Sequence, residues 1–194
     1  MAEKLESGEF VSQRDNTKLA MWFFLGSEIV FFAVLILSYV FLRLGNSAAY
    51  VADFRSHLSI PLIGVNTFIL ISSSFMVVWA LEGIREGKAD KLRNRLIGVI
   101  VLGLLFLGGQ AFEWATLFRD GIGLKDTFGT PFFTITGIHG THVFVGVIWA
   151  IFLLVSAIRG AFTQKEHQGV EMFGLYWHFV DIVWVVLFTL FYLI

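Results

Sequence analysis

The chain has 194 residues, 57% hydrophobic and 15% charged, with a mean hydropathy of +0.78. Soluble domains run at about 45–50% apolar and about 25% charged, so this composition excludes a disordered chain and points to a protein whose solvent is lipid. With no Cys and a formal net charge of −1, neither a disulfide scaffold nor a nucleic-acid footprint is present.

Five apolar runs follow one another. Residues 1–18 are polar and are expected to form a cytoplasmic N-terminal tail. The first run, Leu19–Leu42, is too long and too late for a secretory signal. Ile60–Leu81, Leu96–Phe118, Phe132–Ile158 and Met172–Ile194 follow after short charged connections. Each run exceeds the roughly 20 residues that cross a hydrocarbon core as a helix. None shows the ten-residue alternation of a membrane barrel. The expected fold is all-α: a polytopic membrane protein with one five-transmembrane-helix domain over 19–194.

Charge sets the expected orientation. If the helices alternate, ten Lys and Arg lie on one side, in the tail and around 82–95 and 159–171. Four lie on the other: Arg43, Arg55, Arg119 and Lys125. The positive-inside rule then places the N-terminus inside and the C-terminus outside. The connectors Gly45–Ser59 and Asp120–Pro131 fall on the outer side. No internal repeat or interdomain linker is visible.

Small residues recur within the runs: Gly103, Gly108 and Gly109 on the third, Gly137, Gly140 and Gly146 on the fourth. They suit close helix packing. Ser72, Ser73 and Ser74 on the second can bond across helices or to their own carbonyls.

Six ionisable groups lie inside the runs: Glu28, Glu113, His139, His142, His178 and Asp181. A charge in hydrocarbon is costly, so each is expected to face protein or water and to be paired or neutral. At about 1.5 Å of rise per residue, Glu113 and His139 match in depth on successive antiparallel helices, as do His142 and Asp181. Two interhelical links are therefore expected, Glu113 to His139 and His142 to Asp181. Gln110, one turn before Glu113, can join the first. His178, one turn before Asp181, can orient the second. Gln110, Glu113, His139, His142, His178 and Asp181 are read as a buried polar network, with Glu28 as a separate intramembrane carboxyl.

His139 and His142 share a helix face at i, i+3. The chain lacks the further ligands of a di-iron site, the widely spaced His pairs of a di-haem bundle and any Cys for a cluster. No catalytic, cofactor-binding or metal-binding residue is assigned on these grounds.

Five ordered motifs carry a resemblance. They are Gly26-Ser27-Glu28-Ile29-Val30-Phe31-Phe32; Asn66-Thr67 with the Ser72–Ser74 triplet; Gly109-Gln110-Ala111-Phe112-Glu113-Trp114; Thr136-Gly137-Ile138-His139-Gly140-Thr141-His142-Val143; and Tyr176-Trp177-His178-Phe179-Val180-Asp181-Ile182-Val183-Trp184. From about Leu19 to Ile194 the chain resembles subunit III of the haem–copper oxidases. The resemblance implies a bundle docked on oxidase subunit I, with no redox centre of its own. Haem and copper would reside in partner subunits of a proton-pumping, O2-reducing respiratory complex, with a larger respiratory supercomplex as a further implied partner. Phospholipid is an implied ligand. Glu28 matches the family's membrane glutamate, known for reactivity toward hydrophobic carbodiimides. Larger members have two further helices before these five; here that pair is expected to be fused to subunit I or lost. Cytochrome c is the expected electron donor and a bacterial plasma membrane the expected location. The alternatives are a quinol oxidase, a nitric oxide reductase-type complex and, from another class, a stand-alone proton channel or transporter.

Overall fold

The computed structural model describes the backbone of residues 2–194 and all side chains except those of residues 1–15 and 48–50. Six α-helices follow in order: α1 (Ala2–Leu44), α2 (Ala48–Ser56), α3 (Ile60–Arg85), α4 (Ala89–Arg119), α5 (Gly129–Ile158) and α6 (Gln168–Phe188). A π-helical turn, Thr189–Leu193, continues α6. Five segments are long and apolar enough to cross a membrane: Asn16–Leu44, Ile60–Arg85, Ala89–Arg119, Gly129–Ile158 and Gln168–Leu193. The all-α, five-span expectation is borne out.

The differences lie at the edges. The helix carrying the first span begins at Ala2, inside the stretch read as a tail. Glu, Lys, Leu and Gln are good helix formers, and the first proline is Pro61, so nothing stops the helix. The connector Gly45–Ser59 contains helix α2, too short for a periodicity signal. Its Phe54 is buried against Phe128 and Phe132, at ring-centroid distances of 5.7 and 5.8 Å.

Pro61 sits in the first turn of α3, where a missing N–H costs nothing. At the other end, Gly87 has φ 77°; its N–H bonds Ile84 O and the next N–H bonds Gly83 O. This left-handed cap suits glycine and satisfies two orphan carbonyls. Gly121 and Gly160 close α4 and α5 in the same way. In the α3–α4 turn, hydrogen bonds from Lys88 and Lys91 hold the Glu86 carboxyl below its ordinary pKa.

Helices α3 to α6 pack in sequence, and α3 closes the set by lying against α6. Helix α1 leans on α5 and α6. Within their most apolar windows, 56% of the last span is buried but only 17% of the first, so α6 is the central helix and α1 the peripheral one.

Hydrogen bonds set the antiparallel register of α3 and α6. Trp184 Nε1 donates to Thr67 Oγ1 at 2.9 Å, Trp177 Nε1 donates to Ser73 Oγ at 2.8 Å, and Ser74 Oγ meets His178 Nδ1 at 2.5 Å. Ser72 bonds back to Phe68 O. The serine triplet thus divides between the two roles expected of it. Asn66 Nδ2 donates to Phe106 O on α4 at 2.9 Å, with its amide lying over Gly109.

Both ends of the bundle are tied. At one end Glu171 meets Arg85 at 2.7 Å, His167 at 3.2 Å and Lys18 at 3.4 Å, joining α3 and α1 to α6. At the other, Arg55 donates to Ile194 O and Tyr192 O at 2.8 and 2.9 Å, and Arg43 reaches Leu190 O and Ile194 O. These carbonyls end the last helix and need partners.

Gly146 tests the packing around α6. A Cβ there would lie 2.6 Å from the Trp177 ring, which is fully buried and bonded to Ser73. Gly146→Ala is expected to destabilise the protein by about 1–3 kcal/mol, as overpacking does. Gly140→Ala, whose Cβ meets nothing within 4 Å, should leave the melting temperature in detergent nearly unchanged.

Candidate functional site

Five of the six intramembrane acids and histidines fall into three groups rather than one network, and His139 stands outside them. The first joins α1 to α5. His142 Nε2 lies 3.1 Å from Glu28 Oε2, and both side chains are 19% exposed. His142 Nδ1 lies 2.8 Å from Ile138 O. A carbonyl only accepts, so Nδ1 carries a hydrogen. The Nε2–Glu28 contact therefore shares one proton, held either by the carboxyl or by the imidazole. The pair is neutral overall in both arrangements, which is the state hydrocarbon tolerates. Phe32 packs edge-on to the imidazole at 5.2 Å, and Tyr176 OH donates to His142 O at 2.9 Å.

The second group lies where α4 meets the C-terminal turn. Tyr192 OH donates to Glu113 Oε2 at 2.5 Å, and Gln110 Nε2 reaches the same oxygen at 3.4 Å. All three residues are buried. Gln110 joins Glu113 as expected.

The third group joins α3 to α6: Ser74, His178 and Asp181 line one groove. Ser74 and His178 are bonded to each other. Neither Asp181 oxygen has a hydrogen-bond partner among the described residues.

Both expected interhelical links are corrected. His142 pairs with Glu28, not with Asp181. Glu113 takes its hydrogen bonds from Tyr192 and Gln110, not from His139. His139 is 1% exposed, stacked on Trp184 at 4.9 Å and edge-on to Phe106 at 5.9 Å. Neither of its nitrogens has a hydrogen-bond partner among the described residues. Matched depth fixes the level of a residue but not the direction in which it faces. His178 bonds Ser74 and makes no hydrogen bond to Asp181.

Sequence reasoning missed Tyr192 and Tyr176 as partners. A tyrosine within an apolar run was the available signal, since a buried phenol finds an acceptor. Among the described residues, no three of His, Cys, Asp and Glu converge as a metal-ligand set.

Residues 5–194 match the family model described as cytochrome c oxidase subunit III. The chain belongs to that family. A cytochrome c oxidase subunit 3 from Thermostichus vulcanus is 36% identical over 93% of this chain and 88% of the relative. A probable quinol oxidase subunit 3 from Staphylococcus aureus (strain USA300) is 32% identical over 91% and 88%. The resemblance carried by the five motifs is thereby confirmed. Subunit III chains belong to haem–copper oxidase complexes, so the partners of this one are the other oxidase subunits, subunit I among them. In this subunit III, two of the three intramembrane groups join different transmembrane helices. The second group ties α4 to the C-terminal turn.

The Glu28–His142 bond yields a direct test. Glu28→Gln keeps a polar side chain opposite His142 Nε2 and should cost little stability. Glu28→Leu and His142→Leu each strand a partly buried polar partner and should cost about 1 kcal/mol. The double leucine variant should lose less than the sum of the two. Thermal unfolding in detergent checks all four.

Proposed function

We propose that this chain is a non-catalytic subunit III of a proton-pumping terminal oxidase that reduces O2 to water. In this reading haem and copper are held by partner subunits. The chain supports assembly of subunit I, binds phospholipid and sustains proton uptake. The observation that carries the supporting role is the arrangement of the Glu28–His142 and Glu113–Tyr192 groups. Each closes on itself as a local bond between structural elements, rather than converging with others on a shared centre.

Cytochrome c is the proposed donor, supported by the 36% identity to the Thermostichus chain. Quinol is the second reading, supported by the name of the Staphylococcus relative. The location is a bacterial plasma membrane, in keeping with these bacterial relatives. The N-terminus lies on the cytoplasmic side, in keeping with the excess of Lys and Arg at that end.

Gentle purification through a tag on this chain tests the reading. Haem-bearing subunits should co-elute, with their optical bands, and reduced cytochrome c should support O2 consumption better than a quinol. A colourless, self-sufficient oligomer with transport activity would overturn it in favour of a free-standing channel. Glu28→Gln should leave haem content intact and lower sustained turnover modestly. Loss of haem from an otherwise assembled complex would count against the assignment.

A further inference from the structure

Asp181 stands apart from the other intramembrane carboxyls. Glu28 and Glu113 each have a hydrogen-bond partner within the chain. Asp181 is 6% exposed, and neither of its oxygens has such a partner among the described residues. Ser74 is the in-chain side chain that acts on the carboxyl; its hydroxyl lies 2.5 Å from His178 Nδ1 and does not reach hydrogen-bond geometry with Asp181. An intramembrane acid left in this state calls for a partner from outside the chain.

The surroundings say what kind. Asp181 lines a groove of about 530 Å³ between α3 and α6. Positions 71, 74, 75 and 78 form one wall and 178, 181, 182 and 185 the other. Both walls follow the i, i+3, i+4, i+7 spacing on antiparallel helices, the shape that receives the ridge of a third helix. Phe75, Val78, Ile182 and Val185 present exposed apolar surface along it. Val78 and His178 also line a second groove of about 310 Å³ that runs to Lys18, Arg85 and Glu171 at one end of the bundle. The combined surface is elongated along the helices.

Depth narrows the choice further. Asp181 lies ten residues beyond Glu171, about 15 Å along the helix, roughly half of a 30 Å hydrocarbon core. Phospholipid headgroups stay at the interface. A hydrogen-bonding group delivered to mid-depth along an elongated apolar surface is what a protein helix provides.

We propose that the α3–α6 groove seats a transmembrane helix of another oxidase subunit, which presents a hydroxyl, amide or basic donor to Asp181. The inference rests on the subunit III reading and names the docking surface within it.

The test uses the assembled complex. A benzophenone amino acid replaces Ile182, with Phe152 on the exposed face of α5 as the control position. On irradiation, position 182 should form an adduct with a second polypeptide, identified by mass spectrometry, and position 152 should not. Adducts of position 182 with lipid or a quinone alone, or no protein adduct at all, would overturn the proposal. Asp181→Leu gives an independent readout. The complex, purified through another subunit, should retain at least tenfold less of this chain. The isolated chain should melt at an unchanged or higher temperature, because no internal bond is lost. Unchanged retention, or a fall in melting temperature, would count against docking through Asp181. Co-elution of the wild-type chain with haem-bearing subunits tests the subunit III reading separately.

Discussion

Hydrocarbon offers no hydrogen bonds, so polar groups carried into the span must find partners within protein, and this requirement organises the bundle around α6. Apolar contact cannot choose a register, because lipid tails are as apolar as leucine. The choice falls to bonds such as Trp184 to Thr67 and Trp177 to Ser73, both between buried side chains. Each such bond contributes on the order of 0.6 kcal/mol, and rarely above about 1.7. Their value lies in direction. A shift of α6 along α3 would strand two indole N–H groups at once. Glycines complete the selection, since Gly146 admits the Trp177 ring at a distance no side chain would allow and Gly103 does the same for Val147.

The same requirement explains how acids survive here. Glu28 and His142 share one proton in a pair without net charge, so the hydrocarbon around them meets a dipole rather than an ion. Glu113 solves the problem differently, by taking two donors on one oxygen from Tyr192 and Gln110. The first solution joins α1 to α5. The second anchors the π-helical turn beside α4. Both tie parts of the bundle that generic packing would leave loose. Among the described residues neither Asp181 oxygen has a hydrogen-bond partner of good geometry, and that asymmetry sets the α3–α6 face apart from the rest of the lipid-depth surface.

Much of the fold was legible because hydropathy and length act locally. Five spans, their order and the depth of each ionisable group follow from counting residues. The directions in which those groups face do not. His142 and Asp181 share a depth, yet α1 supplies Glu28 to His142, because α1 crosses over to lie on α5 and α6 and not beside α3, its next neighbour among the spans. Azimuth depends on which helices meet, a non-local fact that no apolar run records. Helix α2 and the C-terminal π-turn were hidden for another reason. Nine residues carry too little periodicity to stand out, and a π-turn has the composition of the helix it extends.

Helix α1 shows how weak lateral packing is offset. Its apolar window is mostly exposed, so burial within the chain does little to hold it. Three kinds of contact at three depths do the holding. Lys18 meets Glu171 at one end, Glu28 meets His142 in the middle, and Arg43 binds the last-turn carbonyls at the other end. The charged residues that mark topology in the sequence thus serve as staples in the structure. A helix pinned at three levels but bare along its outer face is fixed in position while still offering apolar surface. That suits a member of a multisubunit oxidase better than a chain that must be complete alone. The surface α1 leaves uncovered is available to lipid or a neighbouring subunit, and the pinning keeps that surface in one place.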